Sequence, residues 1–202
     1  ITATEQAEDV VHTTYVRGLQ MHGVEVRDGP VDGVDLEFTQ GDVRGLRITG
    51  VGDDCLDLMG VDLRLSDSIL QSCSNNAISA GEQSQLTAHS LYISDSKTGI
   101  LAKNSSQVHV TGSLITRTRT ALRTKRREVH YTGNSRIGVS DLHITECDRL
   151  YDAASGSPID AERIHQSIPS RNTKRHLGRR VLGLADWSQL PSVTTTSVGA
   201  GL

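Results

Sequence analysis

A short phrase recurs about every 22 residues between Val31 and Lys125. Each copy begins with a turn of small or polar residues. It continues with an aliphatic residue, an outward position and a second small or aliphatic residue. The five copies are VDGVDLEF, GDDCLDLM, NNAISAGE, TGILAKNS and TALRTKRR. A repeat of fixed length predicts a solenoid, because no single copy can bury its inner face without stacking on its neighbours.

The period and the local pattern together predict an all-β solenoid. Each coil contains three short strand-like runs and no helical segment; in the fifth coil these are residues 108–110, 114–115 and 121–124. Three short strands per coil describe a right-handed parallel β-helix, whose neighbouring coils lie about 4.8 Å apart. We predict about six coils, near residues 19–41, 42–60, 61–83, 84–105, 106–127 and 135–156.

The composition supports an aliphatic core of stacked rungs. The chain of 202 residues is 36% hydrophobic but only 3% aromatic, with Phe38 as its one phenylalanine and Trp187 as its one tryptophan. A core of Val, Ile, Leu and Ala rungs needs few large rings, whereas ordinary globular cores rely on them. A net charge of −3 gives no general attraction to nucleic acid. The sequence also has no apolar run of the length that a membrane span needs.

Cysteines and histidines give no metal-binding signature. Cys55, Cys73 and Cys147 are odd in number and lack the spacing of metal ligands, so we predict buried free thiols. The eight histidines are scattered without a pair at zinc-like spacing, and we assign them no metal role. We expect no cofactor.

The ends of the chain depart from the repeat. Residues 1–18 fit an N-terminal cap or lead-in, as a short helix or as a strand, and residues 19–157 form the predicted β-helix domain. Residues 124–136 break the rhythm and predict a loop between coils, and residues 158–202 predict an irregular C-terminal cap and a flexible tail. The chain starts at Ile1 without a methionine or a signal-like segment, which fits a processed product or part of a larger protein or assembly.

Alternation along the repeated strands predicts which side chains face outward. In the first copy, Val34, Leu36 and Phe38 are expected inside, and Asp35 and Glu37 outside. Stacking the copies gives one outward column of Asp35, Asp57, Ser79, Leu101 and Arg123, and a second of Glu37, Met59, Gly81, Lys103 and Lys125. The charge on this face therefore changes from acidic to basic along the axis.

Asp32, Asp53 and Asp54 lie in the turns just before the acidic end of these columns. One interpretation is a solvated face whose carboxylates bind turn amides. A second is a site for Ca²⁺ or for sugar hydroxyls, because hard cations take several oxygen ligands. A third is catalysis, since glycoside hydrolysis needs two carboxyl groups flanking the sugar and their mutual repulsion raises one pKa.

Basic residues dominate the other end of the face. The candidates for anion contact are Lys103, Arg123, Lys125, Arg126 and Arg127. Such a cluster fits a solubilising surface. It also fits a patch that binds phosphate, an anionic glycan or a partner protein.

Residues 31–156 resemble the right-handed β-helix repeats of bacterial surface proteins, which often accompany a spore-coat-protein-H-type kinase domain. The motifs occur in the family's order: an Asp-rich coil (DGVDLEFTQGDVRGLRITGVGDDCLDLMG), NNAISAGEQS, TGILAKNSS and a basic loop with an aromatic residue (TKRREVHYTG). The resemblance implies a β-helix at the cell surface or envelope, without established chemistry of its own. No part of the chain resembles the kinase domain.

The chain more distantly resembles polygalacturonases, pectin-cleaving hydrolases of the pectin-lyase-like β-helix fold. Their motif order NTD, DDC, GHG, RIK places Asp32 at the first carboxylate and Asp53 and Asp54 at the paired carboxylates. Asn76 stands where that family has its His, and Leu101 stands where it has its Arg, although Lys103 is kept. These departures argue against polygalacturonase activity.

We therefore predict a non-catalytic scaffold or binding module of a cell-surface or secreted protein. Its polar ladders would contact a polysaccharide or a surface protein, with Asp35, Asp57 and the basic residues as ligand contacts. The alternative is a hydrolase or lyase acting on acidic glycans, with Asp32, Asp53 and Asp54 as acid and base. The first two alternatives for the acidic turns, amide binding and a Ca²⁺ or sugar site, belong to the binding module.

Overall fold

The computed structural model describes residues 8–126 and 128–166. All regular structure in these residues is β-strand, and they contain no helix long and apolar enough to cross a membrane. The strands are β1 (Val11–Thr14), β2 (Arg17–His22), β3 (Glu25–Arg27), β4 (Val34–Glu37), β5 (Gln40–Arg44), β6 (Arg47–Val51), β7 (Leu56–Met59), β8 (Asp62–Cys73), β9 (Asn76–Gly81), β10 (Gln85–Ser94), β11 (Thr98–Ala102), β12 (Gln107–Thr116), β13 (Thr120–Thr124), β14 (Arg136–Thr145), β15 (Arg149–Asp152), β16 (Ile159–Ala161) and β17 (Ile164–Gln166).

The strands form two parallel sheets around one core. The seven-stranded sheet, here named the ladder sheet, has the order β1-β4-β7-β9-β11-β13-β15. The ten-stranded sheet, here named the broad sheet, has the order β16-β14-β12-β10-β8-β5-β2, with β6 beside β8, β3 beside β6 and β17 beside β14. The predicted all-β parallel solenoid is confirmed. It has about seven turns, where the repeat predicted about six.

Aliphatic side chains stacked in register make the core. In the ladder sheet Val34 pairs with Leu56, and Leu56 pairs with Ile78. The column continues through Ile100 to Leu122, and all five side chains are fully buried. Burying a side chain of this size stabilises the fold by about 1.5–3 kcal/mol relative to leaving it exposed. The constant period of the sequence therefore places an aliphatic residue of each coil directly above an aliphatic residue of the preceding coil.

Left-handed backbone bends turn the chain within the broad sheet. Strands β8, β10, β12 and β14 each contain such a bend near their middle, at Asp67, Ser90, Gly112 and Asp141, and β8 has a second positive φ at Ser72. Short polar residues and glycine tolerate a positive φ better than other residues. Two of the three runs predicted for each coil therefore merge into one bent strand.

Phe38 does not follow the predicted alternation. It was expected in the core, but its backbone has a φ of 46° and its side chain is 44% exposed. The prediction is wrong because alternation holds only within β4, which ends one residue earlier at Glu37. In the next coil this corner holds Gly60, where a Cβ would lie 2.8 Å from the Phe38 ring.

Two of the three cysteines form a disulfide, so the prediction of three free thiols is wrong. Cys55 and Cys73 are bonded, with their Cα atoms 5.4 Å apart and a sequence separation of 18. Both side chains are buried in the core, where the bond links the start of β7 to the end of β8 across one coil. Only Cys147 is free among the described residues, and its Sγ lies 3.2 Å from Thr118 Oγ1.

Parallel pairing extends beyond both ends of the repeated region. Strand β1 lies within the predicted lead-in and pairs with β4, so this part is strand rather than helix. Past residue 157, where an irregular cap was predicted, β16 and β17 pair with β14. The described residues between Thr124 and Arg136 form no strand, in agreement with the predicted loop. Residues 1–7 of the predicted lead-in and the predicted tail from 167 onward lie outside the described residues.

Candidate functional site

Four side chains form what we name the turn ladder, one per coil, before the strands of the ladder sheet. Asp9 Oδ1 accepts a hydrogen bond from the backbone N–H of Asp32 at 3.1 Å, and Asp32 Oδ1 accepts one from Asp54 N–H at 2.7 Å. Asp54 Oδ1 accepts from both the backbone N–H and the side-chain Nδ2 of Asn76, each at 2.8 Å. Because partly or fully buried amides need acceptors, these side chains tie each coil to the next.

Burial raises the pKa of the two central carboxyl groups. The pKa of Asp32 rises to about 7, chiefly through loss of water and further through the charge of Asp54, although the backbone N–H of Asp54 acts in the opposite direction. The pKa of Asp54 rises to about 6, again chiefly through burial, against the hydrogen bonds from Asn76. Both groups can therefore gain and lose a proton near neutral pH, as acid–base groups must.

A second acidic group lies on outward positions of the ladder sheet. The strand register pairs His12 with Asp35 and Asp35 with Asp57. His12 Nε2 lies 3.5 Å from Asp35 Oδ2. Burial, and then the charge of Asp57, raises the pKa of Asp35 to about 6, while His12 lowers it. Neighbouring carboxyls on this face thus repel one another.

The register continues this group into one row across the whole sheet, here named the outer row. Its members from the N-terminal to the C-terminal coil are His12, Asp35, Asp57, Ser79, Leu101, Arg123 and Asp152. Its middle differs from the solvated surface that alternation suggests, because Ser79 is 1% and Leu101 2% exposed. In the described part of the chain, Asp57 Oδ1 and Ser79 Oγ are buried polar atoms without a hydrogen-bond partner.

The basic candidates lie at the other end of the ladder sheet. Lys103 folds its stem over Gly81, where an added Cβ would meet Lys103 Cε at 2.7 Å. Arg123 Nε lies 3.0 Å from Asp152 Oδ2. Burial, and then the charges of Arg123 and Lys103, lowers the pKa of Lys125. Asp54 raises the pKa of Lys125, so the acidic and basic groups influence each other electrostatically.

The structure describes one of the two remaining basic candidates. Arg126 is exposed beyond the end of β13, and Arg127 lies outside the described residues. Among the described candidates, the structure brings together Arg123 in β13 and the two lysines that directly follow β11 and β13, Lys103 and Lys125.

An aromatic pair was missed by the sequence reasoning. The rings of Tyr15 and Phe38 stack at a centroid distance of 5.0 Å with an interplanar angle of 11°. Tyr15 is 74% exposed. Tyr15 directly follows β1, which ends at Thr14, and Phe38 directly follows β4, which ends at Glu37; both have a positive φ. The sequence contains a signal for this pair, because the two rings follow corresponding strands in successive coils. It was overlooked because Phe38 was placed in the core.

The acidic residues form two clusters that could hold a cation or an acid–base pair. One ligand atom from each of Asp32, Asp53 and Asp54 lies within 4.8 Å of the others, and the same holds for Asp9, His12 and Asp35. Inverting glycosidases separate their two carboxyl groups by about 6.5–9.5 Å and retaining ones by about 5–5.5 Å. One oxygen from each of the three aspartates lies closer to the others than either of these separations.

Positions that would carry polygalacturonase chemistry have other roles here. Asn76 donates to Asp54 within the turn ladder, and Leu101 is buried in the outer row. Neither can replace the histidine or the arginine of the motif, because an amide does not titrate and an aliphatic chain does not bind a carboxylate.

No family model and no curated protein matches the chain. Among solved structures, it is similar to a crystal structure of a double mutant of the periplasmic alginate epimerase AlgG, with a TM-score of 0.52 and 11% sequence identity. The match covers 79% of this chain and 48% of that one, so the chain spans about half the length of the epimerase. At this identity the likeness shows the fold alone: the chain is a right-handed parallel β-helix.

Proposed function

We propose that this β-helix is a non-catalytic binding module that holds a carboxylated polysaccharide along the outward face of its ladder sheet. One observation carries the proposal: the strand register places Asp35 and Asp57 toward one end of the outer row and Arg123, which pairs with Asp152, toward the other. A rigid sheet that presents charged groups at fixed spacing suits an extended repeating ligand. Six spacings of about 4.8 Å give a face about 29 Å long, enough for several sugar units.

The basic end supplies the contacts for uronate carboxylates. Arg123 offers a guanidinium that can bind a carboxylate with two hydrogen bonds, and it is 37% exposed at its side chain. Lys103 and Lys125 lie beside it, and the pKa of Lys125 is lowered first by burial and then by repulsion from Arg123 and Lys103. An anionic ligand relieves that repulsion, so binding there is favoured electrostatically.

The middle of the outer row offers no direct ligand contact, because Asp57 Oδ1 and Ser79 Oγ are buried by the protein itself. The acidic end supplies a surface for sugar faces. The exposed Tyr15 and Phe38 rings offer an apolar surface for a pyranose face, beside polar Glu37.

The hydrogen bonding of the acidic turns favours binding over catalysis. Asp32 and Asp54 both hold the backbone of the next coil, and Asp54 also holds the Asn76 side chain. A general acid or base must lie within hydrogen-bond reach of the substrate atom whose proton it transfers. These two carboxylates are instead fixed as ties between coils.

A second function, acid–base chemistry on an acidic glycan, is favoured by one specific observation. The pKa of Asp32 rises to about 7 and that of Asp54 to about 6, which places both near the pH at which general acids and bases work best. The similar AlgG structure is an alginate epimerase, so this fold is able to support polysaccharide modification.

We further propose that the protein acts at the cell envelope or outside the cell. The buried Cys55–Cys73 disulfide fits an oxidising compartment, because cytosolic thiols are kept reduced. The similar epimerase is periplasmic, which agrees with the same location.

Binding of polygalacturonate and alginate by isothermal titration calorimetry, with dextran as the neutral control, tests the proposal. Lys125→Met and Lys103→Met keep the aliphatic stem and remove the charge, so each is expected to weaken binding at least about tenfold. Arg64→Met, on the broad sheet, is the matched control and should leave binding unchanged. Equal affinity for all four proteins, or equal binding of dextran, would contradict the proposal.

Product assays on the same polymers separate the two functions. Reducing ends report hydrolysis, unsaturated uronate reports lyase activity, and the epimer ratio by NMR reports epimerisation. Turnover that disappears in Asp54→Asn would establish the enzymatic alternative. Binding without turnover supports the module.

A further inference from the structure

The last two coils bring together two imidazoles and a carboxylate that no sequence motif connects. Strands β14 and β17 pair in register, with His143 opposite His165. Their rings stack at a centroid distance of 4.5 Å and an interplanar angle of 20°. His165 Nε2 lies 3.3 Å from Asp141 Oδ1. One possible ligand atom from each of the three residues lies within 4.8 Å of the others.

The backbone fixes all three side chains on the outside of the broad sheet. Leu142 and Ile144 point into the core, so His143 between them faces outward. Asp141 occupies the left-handed bend of β14, with a φ of 53°, which brings its carboxyl toward β17. His165 comes from the following coil. The group is therefore assembled by the solenoid and does not depend on a flexible loop.

We propose that Asp141, His143 and His165 bind a divalent transition-metal ion that fastens the three-residue strand β17 to β14. Two imidazoles and one carboxylate form a donor set that suits Zn²⁺, Ni²⁺ or Cu²⁺ better than Ca²⁺ or Mg²⁺, which prefer oxygen ligands. Ligand bonds to zinc of about 2.0–2.1 Å place neighbouring ligand atoms about 3.3 Å apart, so modest side-chain rotations close the site. Solvent can complete the coordination shell because His165 is exposed.

The two acidic clusters of the ladder sheet lack this donor set. Asp32, Asp53 and Asp54 offer oxygen only, and Asp9, His12 and Asp35 offer a single imidazole. Imidazole nitrogen discriminates between transition metals and hard cations. The pair of histidines therefore makes the β14–β17 site the preferred one for a transition metal, independently of any glycan binding.

The expected consequence is local rather than catalytic. Strand β17 pairs with β14 through a short register, Leu142 with Ile164 to Ile144 with Gln166. Short terminal strands open readily because few contacts hold them. A metal that bridges His143 and His165 crosses this pairing directly, so it should slow amide exchange in β17.

Titration of the full chain with ZnCl₂ by calorimetry, and with CoCl₂ by visible absorption, tests the site. One metal per chain is expected at these residues, and Co²⁺ should show d–d bands of a nitrogen- and oxygen-liganded ion. His143→Gln and His165→Gln should each weaken affinity at least about tenfold, since losing even a group that supports a ligand costs that much. Asp141→Asn should weaken it less, because Asn keeps one oxygen donor and tolerates the left-handed backbone.

Matched controls keep the result specific to this cluster. His12→Gln tests the mixed cluster on the ladder sheet, His89→Gln removes another exposed imidazole from the broad sheet, and His176→Gln covers a residue outside the described ones. Each should bind Zn²⁺ as the parent chain does. Unchanged affinity in both His143→Gln and His165→Gln, with circular dichroism showing that they fold, would overturn the proposal. So would amide exchange in β17 that Zn²⁺ leaves unchanged.

Discussion

Replacing Asp54 with asparagine separates the hydrogen bonding of the turn ladder from its charge. Asp54 is 6% exposed, and a single oxygen, Oδ1, accepts both bonds from Asn76. The amide oxygen of asparagine can accept the same two bonds. The substitution therefore keeps the tie between coils and removes one negative charge from beside Asp32, Asp53 and Asp57. We predict that Asp54→Asn stabilises the protein above neutral pH.

The raised pKa of Asp54 gives the size of the effect. Its pKa rises from 3.8 to about 6 on folding. At about 1.36 kcal/mol per pKa unit, the ionised form costs the folded state up to about 3 kcal/mol. Asparagine imitates the protonated carboxyl, so Asp54→Asn should gain about 2–3 kcal/mol at pH 8. For a chain of this size that is a rise in melting temperature of roughly 4–12 °C.

The sign of the pH dependence follows from the direction of the shift. A carboxyl whose pKa is raised by folding favours the folded state fully below its unfolded pKa of 3.8, and this contribution is lost as the pH rises through about 6. The advantage of Asp54→Asn should therefore be largest at pH 8 and should vanish near pH 4. Asp32, with its pKa raised to about 7, extends the same trend to higher pH in both proteins.

Thermal and urea unfolding of both proteins at a series of pH values between 4 and 8 measures this difference. Asp42→Asn is a control of opposite sign, because hydrogen bonds from the Arg64 guanidinium hold the pKa of Asp42 at about 2. Its loss should not stabilise the protein at any pH in this series. A lower stability of Asp54→Asn at pH 8, or an advantage that persists unchanged at pH 4, would refute the reasoning.

Two further substitutions test the core and the ties between coils. Replacing Cys55 and Cys73 with serine, or reducing their disulfide, should lower the free energy of unfolding by about 3 kcal/mol. The reason is that the disulfide closes a loop with a sequence separation of 18 and so constrains the unfolded chain. Identical urea midpoints before and after reduction would argue against this. Ser84→Ala removes the buried hydroxyl that accepts from Val61 N–H at 3.2 Å, which should cost about 1–3 kcal/mol. Ser74→Ala, at an exposed position, is its control, and equal melting temperatures for the two variants would be inconsistent with the role of Ser84.

The repeat predicted the ladder sheet well because parallel stacking at constant offset converts sequence spacing directly into register. The offset of 22 residues between Asp35 and Asp57 is the pairing of β4 with β7, and the same offset pairs Leu101 with Arg123. Alternation failed at Phe38, since a positive φ ends the strand geometry on which alternation depends. The coil count was low because the terminal strands β16 and β17 have three residues each, too few for the repeated phrase.

The candidate sites were predictable only where one strand or one copy of the phrase carried them. The acidic turns recur in successive copies and were found, whereas the disulfide joins residues less than one coil apart and has no spacing rule. Likewise, His143 and His165 lie 22 residues apart, a distance that suggests no metal motif until the coils are stacked. Parallel stacking brings residues one coil apart into contact. The usual metal-ligand spacings describe ligands only a few residues apart, so they do not detect such a pair.

Asn76 shows what the turn ladder requires and what it does not. Its uncharged amide donates to Asp54 Oδ1, whereas Asp32 and Asp54 accept from the backbone of the following coil. Asp32 and Asp54 occupy the equivalent positions in the two preceding coils, where burial makes their negative charge unfavourable. The fold would be served at least as well by asparagine at both positions. The hydrogen bonds between coils therefore do not themselves require a negative charge at these two positions. A variant Asp54→Asn that is more stable at pH 8 but binds uronate polymers less well would place the function at this end of the face. An Asp54→Asn variant that is more stable but binds uronate polymers as the parent chain does would confine binding to Lys103, Arg123 and Lys125.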